Sequence, residues 1–160
     1  MKKSTSIVFI SSTGGHLSEL LQLKDLFGEC DYHIVSENTP SNAHLKEDYP
    51  LGRVELLAYG TKAHLFPYLF IFAWNIFRSW QLFRKWKPQY VITTGTHTAV
   101  PMCKIAHRHG SKVIWIETMA NARTPTAAGK MIYPIADLFI VQWKSMLEVY
   151  PNAVYGGWIF

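Results

Sequence analysis

The chain has 160 residues and a formal net charge of +5 at pH 7. This length allows one domain with one sizeable core, and the positive charge favours anionic partners such as phosphates, acidic lipid or nucleic acid. The two cysteines, Cys30 and Cys103, lie far apart without metal-ligand spacing, so we expect free thiols, no metal site and no cofactor. The few apolar residues near the N-terminus are too short a run for a signal peptide or a membrane anchor.

Short apolar runs alternate with amphipathic segments along the chain. Six runs predict strands, and these are 6–11, 32–36, 54–58, 90–94, 113–116 and 138–141. Helical spacing of apolar residues predicts five helices, and these are 17–27, 65–87, 98–109, 129–133 and 145–149. The segments between them predict loops, of which 37–52 has room for a helical turn. Strands that alternate with helices indicate a doubly wound, mainly parallel α/β sheet, with residues 1–160 as a single domain.

Residues 11–16, Ser-Ser-Thr-Gly-Gly-His, join the first predicted strand to the first predicted helix. Gly14 and Gly15 leave backbone N–H groups open at the positive end of the helix dipole, which favours an anion. His16 adds a titratable side chain beside them. A tight turn without a ligand is the alternative interpretation. The dinucleotide pattern G-x-G-x-x-G and the Lys-Ser/Thr pair of a P-loop are both absent.

Polar residues also follow the fourth and fifth predicted strands. Thr94, Gly95 and Thr96 come after the fourth strand, and Glu117 ends the fifth. Ligands in such sheets bind at the carboxyl ends of the strands, so we expect these residues to share a crevice with His16. A glutamate there suits either binding of sugar hydroxyls or work as a base. Helix capping and a salt bridge are the alternatives.

Two cations follow Glu117 in a loop of small residues. They are Arg123 and Lys130, and the residues between them are mostly Ala, Thr and Gly. A basic loop beside an anion site is typical of a phosphate clamp. A solvated surface loop is the alternative, and it would leave both side chains without a ligand.

The segment 65–87 is too aromatic for an ordinary surface helix, and basic residues follow its uncharged first half. Aromatic anchors beside Lys and Arg are typical of a helix that lies in the membrane interface. The residues that we expect at a membrane are Phe66, Phe70, Phe72, Trp74, Phe77, Arg78, Trp80, Arg84 and Lys85. The alternative is a crossover helix that only packs on the sheet.

The printed sequence ends in the apolar residues Trp158, Ile159 and Phe160. Exposure of such a segment to water is unfavourable. Aromatic anchors are common in protein interfaces, so we expect this segment to contact a partner. A tail that folds back onto its own domain is the alternative.

Four segments together resemble the family of asparagine-linked glycosylation protein fourteen. They are Ser12-Thr13-Gly14-Gly15-His16, Thr94-Gly95 with Pro101, Ile116-Glu117-Thr118, and residues 129–143, Gly-Lys-Met-Ile-Tyr-Pro-Ile-Ala-Asp-Leu-Phe-Ile-Val-Gln-Trp. Members of this family are acceptor-binding subunits of two-part glycosyltransferases, including bacterial capsule and exopolysaccharide versions. The Gly-Gly-His loop is also similar to that of the MurG glycosyltransferase. The family tends to carry an Arg shortly after the Glu-Ser/Thr pair, where this chain has Asn121, with Arg123 two residues later.

The resemblance implies a Rossmann-like N-terminal half of a GT-B glycosyltransferase. It implies a heterodimer, inactive without a donor-binding subunit similar to asparagine-linked glycosylation protein thirteen that carries most of the UDP-sugar site. This chain would bind the polyprenyl-diphosphate-sugar acceptor at the cytoplasmic face of the plasma membrane, as a peripheral or monotopic protein, and no nucleic acid.

The resemblance also implies roles for the strand-end residues. Those that would bind the acceptor diphosphate are Thr13, Gly14, Gly15, Thr94, Gly95, Thr96, Arg123 and Lys130. His16 or Glu117 would act as the base. Two other functions are consistent with the sequence: a stand-alone Rossmann-type nucleotide-binding enzyme, and a noncatalytic scaffold at a membrane interface.

Overall fold

The structure, a computed structural model, describes residues 4–60 and 65–159, without the side chains of 65–67. Its strands form one parallel seven-stranded sheet in the order β3-β2-β1-β4-β5-β6-β7. The strands are β1 (Ser6–Ile10), β2 (Asp31–Asn38), β3 (Val54–Ala58), β4 (Tyr90–Thr93), β5 (Lys112–Ile116), β6 (Leu138–Val141) and β7 (Val154–Tyr155). The direction of winding reverses between β1 and β4, so a crevice is expected at the carboxyl ends of those two strands.

Helices cover both faces of the sheet. The α-helices are α1 (Gly15–Leu21), α2 (Leu45–Asp48), α3 (Leu65–Trp86), α4 (Val100–Arg108) and α5 (Ala127–Ile132). The 3₁₀ segments are Gln22–Glu29, which continues α1, and the shorter Pro40–Asn42, Tyr133–Ile135 and Lys144–Leu147. This arrangement confirms the doubly wound parallel α/β fold that the sequence predicts.

The core has two parts because successive side chains of a strand point to opposite faces. Val8 and Ile10 of β1 belong to the part that packs under α3, α4 and α5. Phe9 lies on the other face, where Leu20 of α1 packs. Burial on both faces explains why these strands appear in the sequence as continuous apolar runs rather than as alternating ones.

Four element predictions need correction. The short helix predicted over 145–149 is the 3₁₀ segment Lys144–Leu147. The predicted helix over 17–27 is α-helical only to Leu21 and continues as a 3₁₀ segment, because a three-residue spacing such as that of Leu20 and Leu23 fits both kinds of helix. The second strand continues through Glu37 to Asn38, into the predicted loop. The strand β7 was not predicted because its two residues are too few for an apolar pattern.

Candidate functional site

The loops that follow β1 and β4 meet at the carboxyl edge of the sheet. The backbone N–H of Ser12 donates to the carbonyl of Gly95 over 3.0 Å, and the hydroxyl of Thr96 lies 3.4 Å from that of Ser12. The two polar segments that the sequence singles out are therefore in direct contact. Their contact places His16, at the start of α1, beside Thr94.

His16 is fixed by the loop that follows β4. Its Nδ1 lies 2.8 Å from the carbonyl oxygen of Thr94, and the Thr94 hydroxyl donates back to the His16 carbonyl over 2.6 Å. A carbonyl oxygen only accepts, so a neutral His16 carries its proton on Nδ1 and its lone pair on Nε2. The ring lies over Gly95, which has a φ of +99°, and a Cβ there would lie 3.5 Å from Nδ1.

The glycine pair before His16 is open to solvent. Gly14 is the N-cap of α1 with a φ of +72°, which a side chain rarely tolerates. A Cβ on either Gly14 or Gly15 would meet no atom within 4 Å. A cavity of about 260 Å³ adjoins Gly14, with the side chains of Ser18 and Asn42 among its lining. The backbone N–H groups at the start of α1 are thus accessible to a ligand of moderate size.

Glu37, near the end of β2, ties two loops together and was missed by the sequence analysis. It is only 2% exposed. Its carboxylate accepts from the backbone N–H of Thr13 over 3.1 Å and from the hydroxyl of Thr98 over 2.5 Å, and His97 Nε2 lies 3.8 Å away. The sequence did hold a signal, because a carboxylate directly after a buried run is the pattern that singled out Glu117.

Glu19 makes a second connection, between α1 and the loop that follows β5. It is 3% exposed, and its Oε1 accepts from the Thr118 hydroxyl over 3.0 Å and from the Met119 backbone N–H over 3.2 Å. The sequence analysis did not single out Glu19, which stands between Leu17 and Leu20 of the apolar face of α1. The two buried carboxylates, Glu19 and Glu37, together hold the loops after β1, β4 and β5.

Glu117 does not open onto the crevice beside His16, contrary to expectation. It is 1% exposed, and its Oε2 accepts from Trp115 Nε1 at 3.3 Å and from the hydroxyls of Thr126 and Tyr150, each at 3.2 Å. Burial raises the pKa of this carboxyl group above its ordinary value, although the three donors oppose that change. The carboxylate therefore acts as a buried anchor for these three side chains.

Gly129 in α5 is required by this anchor. A Cβ on Gly129 would collide with Glu117 Oε2 and would lie 2.7 Å from the Tyr150 hydroxyl and 2.8 Å from that of Thr126. Thr126 also caps α5, because its side-chain oxygen accepts from the Gly129 N–H. The glycine that the resemblance includes is thus explained by close packing rather than by backbone freedom.

The other predicted anion ligands are less closely placed. The Thr13 hydroxyl lies 3.1 Å from the hydroxyl of Thr39, the residue that follows β2. Arg123 and Lys130 are exposed. Among the residues that the structure describes, neither has an acidic partner. Their proposed contact with a phosphate stays a prediction.

The outer face of α3 is apolar and exposed. The large apolar side chains that open to solvent along it are Leu69, Phe70, Trp74, Ile76, Phe77 and Trp80. Asn75 lies on the inner face, where its side chain bonds both the N–H and the carbonyl of Ala58, at 3.1 and 2.8 Å. These bonds fix which side of α3 faces outwards.

The predicted membrane residues do not all lie on the exposed outer face of α3. Phe70, Trp74, Phe77 and Trp80 are exposed, whereas Phe72 is half-buried and stacks on Tyr68 at 5.9 Å. The basic residues line the edge: Arg84 lies over the Trp80 ring at 4.8 Å, and Arg78 and Lys85 lie 3.7 and 3.9 Å from the Glu55 carboxylate. The side chain of Phe66 lies outside the described residues. None of the helices in the described part of the chain is long and apolar enough to cross a membrane.

The apolar tail is partly folded onto its own domain. The backbone N–H of Ile159 donates to Gln142 Oε1 over 3.3 Å, and Ile159 packs against the core. Trp158 meets Trp143 edge to face at 5.2 Å but remains 56% exposed. Phe160 lies outside the described residues. Within the described part of the tail, Trp158 is therefore the large apolar side chain most open to a partner.

Comparison with known proteins shows which sequences this chain is similar to. Residues 60–159 match the family model described as "Oligosaccharide biosynthesis protein Alg14 like". The chain is 28% identical over 182 residues to the UDP-N-acetylglucosamine transferase subunit ALG14 of Rattus norvegicus, and 27% identical over 180 residues to that of Homo sapiens. Each alignment covers 98% of this chain and 83% of the relative.

Solved structures show the same fold. MurG of Acinetobacter baumannii superposes with a TM-score of 0.72 at 17% identity, over 88% of this chain. UDP-N-acetylglucosamine 2-epimerase of Rickettsia bellii gives a TM-score of 0.72 at 14% identity, over 98% of this chain. This chain spans only 42% and 45% of those two chains, respectively. The family resemblance seen in the sequence is confirmed, and the chain belongs to the Alg14-like family of oligosaccharide biosynthesis proteins.

Proposed function

We propose that this chain is the acceptor-binding subunit of a two-component, membrane-associated glycosyltransferase in polysaccharide biosynthesis, such as that of a capsule or exopolysaccharide. The observation that carries the proposal is the fixed His16 ring beside an open glycine pair at the carboxyl edge of the sheet. The names of the relatives, which describe subunits of a UDP-N-acetylglucosamine transferase, support a UDP-sugar as donor.

His16 is our choice for the base. A sugar hydroxyl of the acceptor would give its proton to Nε2 while its oxygen attacks the anomeric carbon of the donor sugar. The bond from that carbon to the diphosphate oxygen breaks, and UDP leaves with the electron pair. The Thr94 carbonyl would keep the other ring nitrogen protonated and stabilise the imidazolium that forms. Glu117 is less suited, because its carboxylate is buried and already bound to three donors.

The acceptor diphosphate would bind at the start of α1. Gly14 and Gly15 expose their backbone there, and the absence of any atom near a virtual Cβ leaves room for a phosphate to approach. Thr13 and Thr96 offer hydroxyl groups from the two loops that meet at this edge. Arg123 and Lys130, exposed in and after the loop that follows β5, would supply positive charge.

The test is sugar transfer from UDP-N-acetylglucosamine to a polyprenyl-diphosphate-sugar, in the presence of the donor-binding subunit. His16→Gln should lower kcat about 10²–10⁴-fold, the usual contribution of a general base, whereas His107→Gln, at an exposed position of α4, should not. The isolated chain should show no transfer. Full activity of the chain alone, or an unchanged kcat in His16→Gln, would refute the proposal.

The partner would dock near the exposed Trp158. An aromatic side chain that is half covered by Trp143 and half open is typical of an interface anchor. Trp158→Ala should reduce co-purification with the donor-binding subunit. The matched control is Leu51→Ala, because Leu51 is fully exposed and belongs to neither proposed surface. Equal co-purification of both variants would place the interface elsewhere.

The membrane would be contacted by the outer face of α3, at the cytoplasmic face of the plasma membrane. Its exposed aromatic residues suit the interfacial region of a bilayer, and Arg84 lies at one end of them. Substitution of Phe70 and Trp74 by Ser should abolish flotation with vesicles, whereas Leu51→Ser should leave it intact. Undiminished flotation of the double variant would exclude this face as the attachment site.

A further inference from the structure

A second concave site lies at the opposite edge of the sheet from His16. This groove, of about 950 Å³, is bounded by the end of α3, the end of α4 and the first residues of β4 and β5. The strands are four and five residues long, so the groove lies roughly 15 Å along them from the candidate active site. It is therefore not part of that site.

The groove is basic and aromatic. Its cationic side chains are Arg84, Lys87 and Lys112, its exposed rings are Trp80 and Tyr90, and none of the described residues that line it is acidic. Lys112 is paired with an acid outside the groove, Asp137, over 2.7 Å. Arg84 and Lys87 lack such a carboxylate among the residues that the structure describes, so their charge is available to a ligand.

The end of α3 positions the Arg84 side chain and the backbone of Lys87. The Arg84 guanidinium lies 4.8 Å from the centre of the Trp80 ring, in a cation–π contact. Lys87 ends the helix with a φ of 46°, and its backbone N–H donates to the Phe83 carbonyl over 2.7 Å. The carbonyl ends of α3 and α4 also point to this edge and disfavour an anion, each by about half a charge. Two full cations outweigh that effect.

The groove continues the apolar face of α3. The rings of Trp74 and Phe77 are 5.7 Å apart, those of Phe77 and Trp80 are 6.1 Å apart, and Trp80 lines the groove. An apolar strip therefore leads directly into a cationic pocket. A ligand with an anionic head and an apolar tail matches this order, whereas a free phosphate could use only the pocket.

We infer that the groove binds the phosphate headgroup of an acidic membrane phospholipid, whose acyl chains lie along the apolar face of α3. This inference builds on the membrane attachment proposed above. It adds a preference for anionic lipid that the apolar face alone would not produce, and a site for it that is separate from the acceptor. With α3 flat on the bilayer, its first turns near the active-site edge and its last turn at the groove would both lie close to the membrane surface.

The test is flotation of the full chain with vesicles of phosphatidylcholine, alone or mixed with phosphatidylglycerol. A variant with Arg84→Gln and Lys87→Gln should lose about 30-fold in binding to the mixed vesicles, at about 1 kcal/mol per cation and tenfold per 1.4 kcal/mol. Its binding to pure phosphatidylcholine should not change. The matched control, Arg78→Gln with Lys85→Gln, removes two cations that share the single Glu55 carboxylate, which offsets half of their charge, and should lose only a few-fold.

A second measurement separates lipid from phosphate. Monomeric dihexanoyl-phosphatidylglycerol should shift the Trp80 indole resonance saturably, and inorganic phosphate should do so far more weakly. Equal losses in the two double variants, or equal affinity for inorganic phosphate, would overturn the inference while the membrane proposal stands. Failure of the unaltered chain to float with any vesicle would overturn both.

Discussion

Replacement of Gly129 by Ala would test the buried carboxylate anchor directly. Gly129 lies inside α5, where Ala normally stabilises a helix by about 1 kcal/mol relative to Gly. Here the added methyl group would collide with Glu117 Oε2 and approach the hydroxyls of Tyr150 and Thr126 to 2.7 and 2.8 Å. Those distances are too short for a carbon atom, so the carboxylate or α5 must move.

The cost follows from the contacts that would be lost. Overpacking of a core site costs about 1–3 kcal/mol. Displacement of the Glu117 carboxylate would also weaken three hydrogen bonds to buried donors, each with a net value of about 1 kcal/mol. After the gain in helix propensity, the expected loss is about 3–5 kcal/mol. In a chain of this length that corresponds to a fall in Tm of roughly 10 °C.

The assay is urea unfolding followed by far-UV circular dichroism. Gly28→Ala is the matched control, because Gly28 is exposed, has no positive φ and has no atom within 4 Å of a virtual Cβ; it should leave the midpoint nearly unchanged. Gly129→Ala should cost less than half as much in a Glu117→Ala background, where the colliding oxygen is gone. A cost below about 1 kcal/mol, or the same cost in both backgrounds, would refute the packing argument.

Three further predictions concern other buried groups. Burial raises the pKa of Glu117, so the contribution of this group to the free energy of unfolding should be complete below the ordinary pKa of a glutamate and should decrease as the pH rises through the raised pKa. In a series of urea midpoints measured against pH, Glu117→Gln should remove that decrease. Asn75→Ala should cost about 2–4 kcal/mol in thermal melting, because it leaves the N–H and carbonyl of Ala58 unpaired, whereas Ser79→Ala, whose buried hydroxyl has no partner in the described structure, should cost far less. Burial raises the pKa of the Cys103 thiol to about 12. A thiol reagent should therefore modify Cys30 but not the buried Cys103 in the native protein, and both cysteines in urea, as mass spectrometry can measure.

The sequence was sufficient to predict the parallel sheet and the contact between the loops that follow β1 and β4. Burial on both faces makes each long strand a continuous apolar run, and the rule that ligands bind at strand ends brought residues 13–16 and 94–96 to one edge. The two-residue strand β7 carries no such pattern. The 3₁₀ segment after α1 has nearly the same apolar spacing as a helix, so the pattern could not separate the two.

The side-chain directions at the site were harder to predict. Glu117 follows Trp115 by two residues, so both side chains leave β5 on the same face, and that face is the one that α5 covers. The sequence shows that the two side chains point the same way, but it does not show that a helix covers them on that face. Glu37 could be noticed because it follows an apolar run, but its partner Thr98, like the Glu19 partner Thr118, lies far along the chain, and no local pattern reveals such pairs.

The hydrogen bonds of Glu37 and Glu19 hold the loops around His16 before any ligand binds. Because Glu37 holds Thr13 and Thr98, and Glu19 holds Thr118, the loops around His16 are ordered by the folding of the domain itself. A ligand at this edge would meet preorganised groups, and its affinity would not be reduced by the entropy of ordering them. Variants that release either carboxylate should therefore slow association and make it more dependent on temperature, even where the side chains that touch the ligand are intact.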